Sequence, residues 1–438
     1  MRATIHAWTL KSMAVLLHVC VLACLILPGF AVAREVREQH VQTVLDAVDA
    51  VCGLPELTGL AAQSAIPGSW LISEKHRPNI ARPRVISIRL VMADRSELEI
   101  ERRQHNGQLR QFRASLWLDH GNGPEPYLLA IADGGCNVRS GREIRSAGDA
   151  WQYLDQLDGD LTTVRWTETL QAPWPGGVDK GGVRVGFIDS GLAYDLPVFR
   201  EQLARGADKQ PLGFDYWDMD PWPYDGDVSR GRFLPIRHGT AVASIFVREA
   251  PDAAIVPYRY PRPDMARLGD TVARAAGDGV RILAMPLGSN KKSEWAAFEA
   301  ALDAFDVLAI VSAGNNGRDI DKNPVYPAAL SSDRILTVTS ADEFGRLAEG
   351  SNWGQTHVDV MVPAENVQIV DFRGASGVAS GSSYAVPRVA ALAARLLAER
   401  PELTAIELKN SILRLAKPSP FERDGVLSTG WIPNPLDP

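Results

Sequence analysis

Four residues of complementary chemistry lie in the second half of this 438-residue sequence. Ser383 falls in Gly-Ser-Ser-Tyr-Ala-Val-Pro-Arg-Val-Ala-Ala-Leu-Ala-Ala, Gly381 to Ala394, where small residues lead into an apolar run at helical spacing through Leu392, Leu396 and Leu397. A serine at a helix start meets free backbone N–H groups and the positive end of the helix dipole. These can hold the oxyanion formed when a serine attacks a carbonyl. Asp189 ends the apolar run Val-Arg-Val-Gly-Phe-Ile, His238 opens a helical run in Arg-His-Gly-Thr-Ala-Val-Ala-Ser-Ile, and Asn315 follows another apolar run in Val-Ser-Ala-Gly-Asn-Asn-Gly. Singly, each has a plain structural explanation as a cap, a turn residue or a core histidine. Jointly they supply what acyl transfer at serine needs: a nucleophile, a base, a carboxylate to orient that base, and a donor aimed at the developing oxyanion. The chain order Asp, His, Ser is one of three in which this constellation occurs.

The elements around these residues alternate. Val183 to Ile188, Ile282 to Met285, Val307 to Val311 and Ile335 to Val338 read as buried strands, and Met265 to Ala276, Trp295 to Phe305, Tyr384 to Leu397 and Ala405 to Leu415 as helices. Such alternation predicts an α/β domain with a mostly parallel sheet covered on both faces. In sheets of this kind sites gather at the carboxyl ends of the strands, where Asp189 and Asn315 fall.

In these motifs the chain resembles the subtilisin-like serine protease family. Asp189-Ser190-Gly191, His238-Gly239-Thr240, Ala313-Gly314-Asn315 and Gly381-Ser382-Ser383-Tyr384-Ala385-Val386-Pro387 match in order, and the resemblance covers about Val183 to Leu415. It implies a subtilisin-like three-layer domain, an Asp189, His238, Ser383 triad, and an oxyanion hole made by the Asn315 side chain and the Ser383 N–H. The departures are local. The usual Gly-Thr-Ser-Met-Ala-x-Pro has Ser382 for Thr and Tyr384 for Met, and the substrate-binding Ser-Leu-Gly strand reads Pro286-Leu287-Gly288. Proline removes an N–H but keeps the carbonyl that the family uses to accept from substrate. Where relatives commonly have glycine at the base of the S1 pocket, before Tyr326-Pro327, this chain has Val325, which implies a shallow pocket for small or medium apolar P1 residues. Some relatives bind calcium near the segment Asp215 to Asp227, which carries Asp215, Asp218, Asp220, Asp225 and Asp227. A solvated acidic loop is the expected reading there, with calcium as the alternative.

Residues 1–33 stand apart. Arg2 and Lys11 precede an uncharged apolar run, and Ala31-Val32-Ala33 supplies the small-x-small pattern of a signal-peptidase site. Export to the periplasm or the medium is expected, with an uncleaved membrane anchor as the alternative. Removing the segment leaves 44 basic against 53 acidic residues, a balance of −9 that speaks against a nucleic-acid partner. Cys20 and Cys24 would leave with it, and the remaining pair, Cys52 and Cys136, is expected to form a disulfide in an oxidising compartment.

Between them lies a small α+β region over 34–165. It is expected to begin with a helix from Val36 to Val51, to continue with strands through Ile86–Met92, Leu98–Ile100, Phe112–Leu118 and Tyr127–Ala132, and to close with a helix over Ala147–Leu157. Asn106-Gly107 marks a hairpin turn. Residues 166–182 are read as a linker, Pro- and Gly-rich from Gln171 to Gly182 and open to cutting, before a peptidase domain over 183–438. The expectation is an exported serine endopeptidase acting on protein or peptide substrates, without redox or phosphate cofactor. The N-terminal region would be either a zymogen propeptide inhibitory in cis or a retained accessory domain. A silent binding protein of the same fold and a narrow processing protease are the rival readings.

Overall fold

The computed structural model describes residues 34–77, 84–121, 123–148, 151–421 and 426–437. The expected signal segment lies outside them. They divide into two compact units, one running up to Arg145 and taking in Tyr153–Glu168, the other holding Ser146–Gln152 and the chain from Thr169 onward.

The first unit opens with helix α1 over 34–51, whose stripe Val41, Val44, Ala47, Val48 and Val51 is buried. Helix α2 (Gly59–Ala65) follows, capped by the Thr58 side chain, which accepts from Ala61 N–H. Eight strands then lie in one sheet in chain order: β1 (Ser69–Arg77), β2 (Arg84–Met92), β3 (Glu97–His105), β4 (Gln108–Asp119), β5 (Pro124–Ala132), β6 (Val138–Ala147), β7 (Trp151–Asp158) and β8 (Val164–Gln171). One face carries Ile86, Ile88, Leu90, Leu98, Ile100, Phe112, Ala114 and Leu116 onto α1, so alternation with period two is what makes these segments strands. At the β3–β4 turn Asn106 and Gly107 have φ of 51° and 75°, the left-handed pair that a two-residue hairpin needs. Cys52, just past α1, is joined to Cys136 in the β5–β6 turn.

Two expectations fail in this unit. Ala147–Leu157 is not a helix: its second part is β7. There Trp151, Tyr153, Asp155 and Leu157 alternate along a strand, and the Asp155 carboxylate is satisfied by Arg145 on β6 and Thr167 on β8. A buried aspartate tolerated by its cross-strand partners makes the same residues mimic a helical period. The linker also starts later than residue 166, because Val164–Gln171 is strand β8, whose Arg165 pairs with Asp158 and whose Thr167 donates to Asp155.

The second unit begins by fastening the segment that follows β8. Ala172 is fully buried and its carbonyl accepts from the Tyr194 hydroxyl, Trp174 lies 4.1 Å from the Tyr194 ring, and Arg205 donates to Pro175 O at 2.9 Å. The stretch is therefore irregular but anchored at its start. Only farther on, at Val178, is it widely exposed.

A parallel sheet forms the centre of this unit. Its strands are β9 (Arg184–Asp189), β10 (Phe214–Asp215), β11 (Ala254–Arg259), β12 (Ile282–Met285), β13 (Leu308–Ser312), β14 (Ile335–Ala341), β15 (Val360–Pro363) and β18 (Gly430–Trp431), in the order β10-β11-β9-β12-β13-β14-β15-β18. A two-stranded ribbon, β16 (Val367–Val370) and β17 (Ser376–Ala379), stands apart from it. The short α3 (Pro197–Arg200) precedes the main helices α4 (Gly239–Glu249), α5 (Leu268–Gly277), α6 (Ala296–Ala304), α7 (Ser382–Glu399) and α8 (Ala405–Leu413). Alternate strand residues serve opposite faces. Val185, Ile282, Ala284, Leu308 and Ile310 pack with α4, α7 and α8, whereas Leu283, Met285, Ala309 and Val311 pack with α5 and α6. Burial on both faces is why the strands read as mainly apolar runs, and it gives the α/β, three-layer architecture. Strand β11 escaped the sequence reading because Pro257, which cannot donate to a ladder, interrupts its apolar run.

Candidate active site

Asp189 is the last residue of β9 and is 4% exposed. The chain must turn at once, and Gly191 does this at φ 106°, where a side chain would meet Tyr224 O at 2.3 Å. His238 is the residue immediately before α4. Gly239 lets that helix end come close to the Asp189 turn, since a Cβ there would lie 2.0 Å from Gly191 O. Through this approach His238 Nδ1 sits 2.8 and 2.9 Å from the two Asp189 carboxylate oxygens. A carboxylate accepts only, so Nδ1 carries the proton and Nε2 is the basic nitrogen. Burial lowers the imidazole's affinity for a proton, but the charge and hydrogen bond of Asp189, with Asp225 and Asp227 behind, outweigh it and raise the pKa to about 9.

Asp225 was missed as a site residue. Fully buried, it accepts from Ser190 Oγ at 2.6 Å, from His238 N–H at 3.3 Å and from Thr240 N–H at 3.0 Å. Ser190 Oγ in turn accepts from Gly239 N–H at 2.9 Å. An anion and a hydroxyl thus satisfy the open N-terminus of α4 and hold His238 against Asp189. The distance from Asp225 to His238 along the chain, with an irregular loop between, hid this cap.

The other end of the site is built from α7 and the turn after β13. Gly381, at φ 126°, leads directly into α7, and a Cβ there would crowd the Asn315 carboxamide at 3.1 to 3.4 Å. Ser383 lies in the first turn, with its hydroxyl donating to Pro286 O at 3.4 Å. The ring of the next residue, Tyr384, is 6.1 Å from that of His238. Asn315 Oδ1 accepts from Ser382 N–H at 2.9 Å. Pro286, Gly288, Val325, Asn315 and Ser383 line one open cleft of ≈ 230 Å³. Leu287 is partly buried and packs instead against a core cluster, and Cys52 and Cys136 belong to the first unit.

The acidic segment Asp215 to Asp227 is not the solvated loop expected. Asp215 is 2% exposed and the Arg259 guanidinium, itself 5% exposed, donates to Asp215 and Asp218 at 2.7 and 2.6 Å and to Gly226 O at 2.5 Å. The other carboxylates are also engaged, Asp220 by Trp222 N–H, Asp227 by the Tyr260 hydroxyl, and Asp225 as above. The Arg259 guanidinium is thus the counter-charge that the Asp215 and Asp218 carboxylates meet. Burial, together with the neighbouring Asp215 and Asp218 charges, pushes Asp220 up to about 6.

The sequence model of the subtilase family matches residues 180–429, more than half of the chain. The chain belongs to the subtilase family. Among curated relatives, the thermophilic serine proteinase of Bacillus sp. (strain AK1) is 28% identical over 241 residues, 51% of this chain and 54% of that protein. The minor extracellular protease Vpr of Bacillus subtilis (strain 168) is 29% identical over 157 residues, 33% of this chain and 19% of that protein. This chain therefore spans about half the length of the first and about a fifth of the second. Among solved structures, a cold adapted subtilisin-like serine proteinase is 23% identical, with 59% of this chain and 90% of that one covered and a TM-score of 0.47.

Proposed function

We propose that this subtilase is an exported serine endopeptidase that cleaves protein or peptide substrates through an acyl-enzyme. The observation that carries the proposal is the pairing of Asp189 with His238 Nδ1, together with the one cleft that Ser383 and Asn315 share. With Nδ1 committed, His238 Nε2 takes the proton of Ser383 Oγ as that oxygen attacks the substrate carbonyl. The oxyanion is received by Asn315 Nδ2 and the Ser383 N–H, and His238 then returns the proton to the leaving amine. Water, deprotonated by the same base, releases the acid. None of these steps calls for a redox or phosphate cofactor.

Pro286, whose carbonyl accepts from the Ser383 hydroxyl, lines the cleft and offers that carbonyl to the substrate backbone, while buried Val325, also in the lining, limits P1 to small or medium apolar side chains. Export is supported by the composition of residues 1–33 and by the Cys52–Cys136 disulfide, which suits an oxidising compartment. Among the described residues no helix is long and apolar enough to cross a membrane. The test is intact-mass labelling of residues 34–438 with a fluorophosphonate, with Ser383→Ala as control and a lightly trypsinised sample to open a blocked cleft. A Ser383-dependent adduct is expected, and loss of the first unit's mass would mark it as a propeptide. No adduct in either folded sample would sink the proposal in favour of a silent binding protein.

A further inference from the structure

The side-chain oxyanion donor proposed above is the Asn315 carboxamide at an exposed turn, and two buried serines, Ser382 and Ser312, stand behind its orientation. Asn315 Oδ1 is met by Ser382 N–H at 2.9 Å. A backbone N–H can only donate, so the carboxamide atom facing it is the oxygen, and Nδ2 is turned the other way. The Ser382 hydroxyl donates to the same Oδ1 at 2.9 Å. Its one proton being spent there, the 2.7 Å bond between Ser382 Oγ and Ser312 Oγ takes its proton from Ser312. Ser312 Oγ accepts from Gly314 N–H at 3.1 Å, which anchors the far end in the turn that carries Asn315. The donors all run one way: Gly314 N–H to Ser312, Ser312 to Ser382, Ser382 to Asn315. Ser382 is 0% exposed and Ser312, at the edge of the cleft, 5%, so these bonds are largely shielded from water, and bonds in such a chain reinforce one another.

We infer that Ser312 is a positioning residue for the reaction, acting through Ser382 to lock the Asn315 carboxamide with its Nδ2 toward the cleft. The inference rests on the reading of Asn315 as oxyanion donor. Ser382 explains why a second hydroxyl is needed. Threonine, usual at this place in the resembling motif, is held at χ1 by its branched Cβ, whereas serine rotates among its wells unless something fixes it. Ser312, at the end of β13, is what fixes it. Ser312 borders the same cleft as Asn315 and Ser383, but its hydroxyl is committed to Ser382 and Gly314, so its effect reaches the reaction through the geometry of Asn315.

The experiment measures kcat and KM on a fluorogenic peptide for Ser312→Ala, Asn315→Ala and the double variant, with thermal melts alongside. Loosening a preorganised donor, short of removing it, is expected to lower kcat about tenfold for Ser312→Ala with KM within about twofold. In the Asn315→Ala background the same substitution should then change kcat by less than about twofold, because nothing remains to be aimed. Ser312→Thr, which keeps the hydroxyl, should restore most of kcat, and Ser312→Val, its isostere without one, should not. That pair decides the matter should Ser312→Ala prove unfolded. An unchanged kcat in Ser312→Ala, or equal losses in the two backgrounds, overturns the relay. Failure of native Ser383 to take a fluorophosphonate overturns the catalytic reading instead, so the two failures are distinguishable.

Discussion

Replacing Asp189 by asparagine tests how the site sets the charge of its base. The carboxylate lies 2.8 and 2.9 Å from His238 Nδ1 and, against the lowering that burial imposes, is the main cause of an imidazole pKa raised to about 9. Relative to an unperturbed value near 6.5, and at about 1.4 kcal/mol per pH unit, this is on the order of 3 kcal/mol in favour of the imidazolium before salt screening. Only neutral His238 can accept the Ser383 proton, so kcat/KM of the native enzyme should keep climbing until an acid limb near pH 9 is passed. In Asp189→Asn the attraction is gone while burial remains. Its limb should fall to about 6.5 or below, with a plateau lower by about 10⁴ because the imidazolium is no longer stabilised nor the tautomer held. Stability moves in step. A group whose folded pKa is raised contributes fully below its unfolded value and loses that contribution as pH rises through its folded one. The native protein should therefore lose up to about 3 kcal/mol from this group between roughly pH 6 and pH 10, and the variant should not. The assay is kcat/KM on a fluorogenic peptide over roughly pH 5 to 10, with urea unfolding at the same pH values. Identical acid limbs in the two proteins would refute the reasoning.

Asn315→Ala should lower kcat by about 100- to 1000-fold while KM stays nearly constant, read in steady-state kinetics, since the donor acts only on the developing oxyanion. Arg259→Met leaves the buried Asp215 carboxylate without its counter-charge and should cost about 3–5 kcal/mol in denaturant melts, whereas a chelator should leave the native melting temperature where it is. Reducing Cys52–Cys136, which closes a loop across a separation of 84 residues, should destabilise the first unit by about 4–5 kcal/mol in the loop-entropy estimate, seen as an earlier melting transition under reductant. Val325→Gly should deepen the cleft and move a P1 library toward Phe, and a library unchanged by it would show that Val325 does not limit P1.

By itself the sequence determined the elements whose information is local. Mainly apolar runs marked β9, β12, β13 and β14 because a strand buried on both faces needs few polar residues. Asn106-Gly107 announced its hairpin because few residue pairs accept two positive φ angles in succession. The four candidate site residues were legible for a related reason. Each stands at a terminus of an element, near a glycine whose missing Cβ leaves room for a close neighbour, as Gly191, Gly314 and Gly381 show. Tertiary structure alone decided what depends on partners distant in the chain. Strand β7 looked helical until β6 and β8 supplied the partners of Asp155. The acidic loop looked solvated until Arg259, on β11, entered it. Asp225 became the cap of α4, and Ser312 the support of Asn315, only once the sheet had brought β9, β13 and the starts of α4 and α7 to one edge. Local pattern reports which backbone conformation a segment prefers and which face it buries. The partner of a buried polar group is set by packing, and no short-range periodicity encodes it.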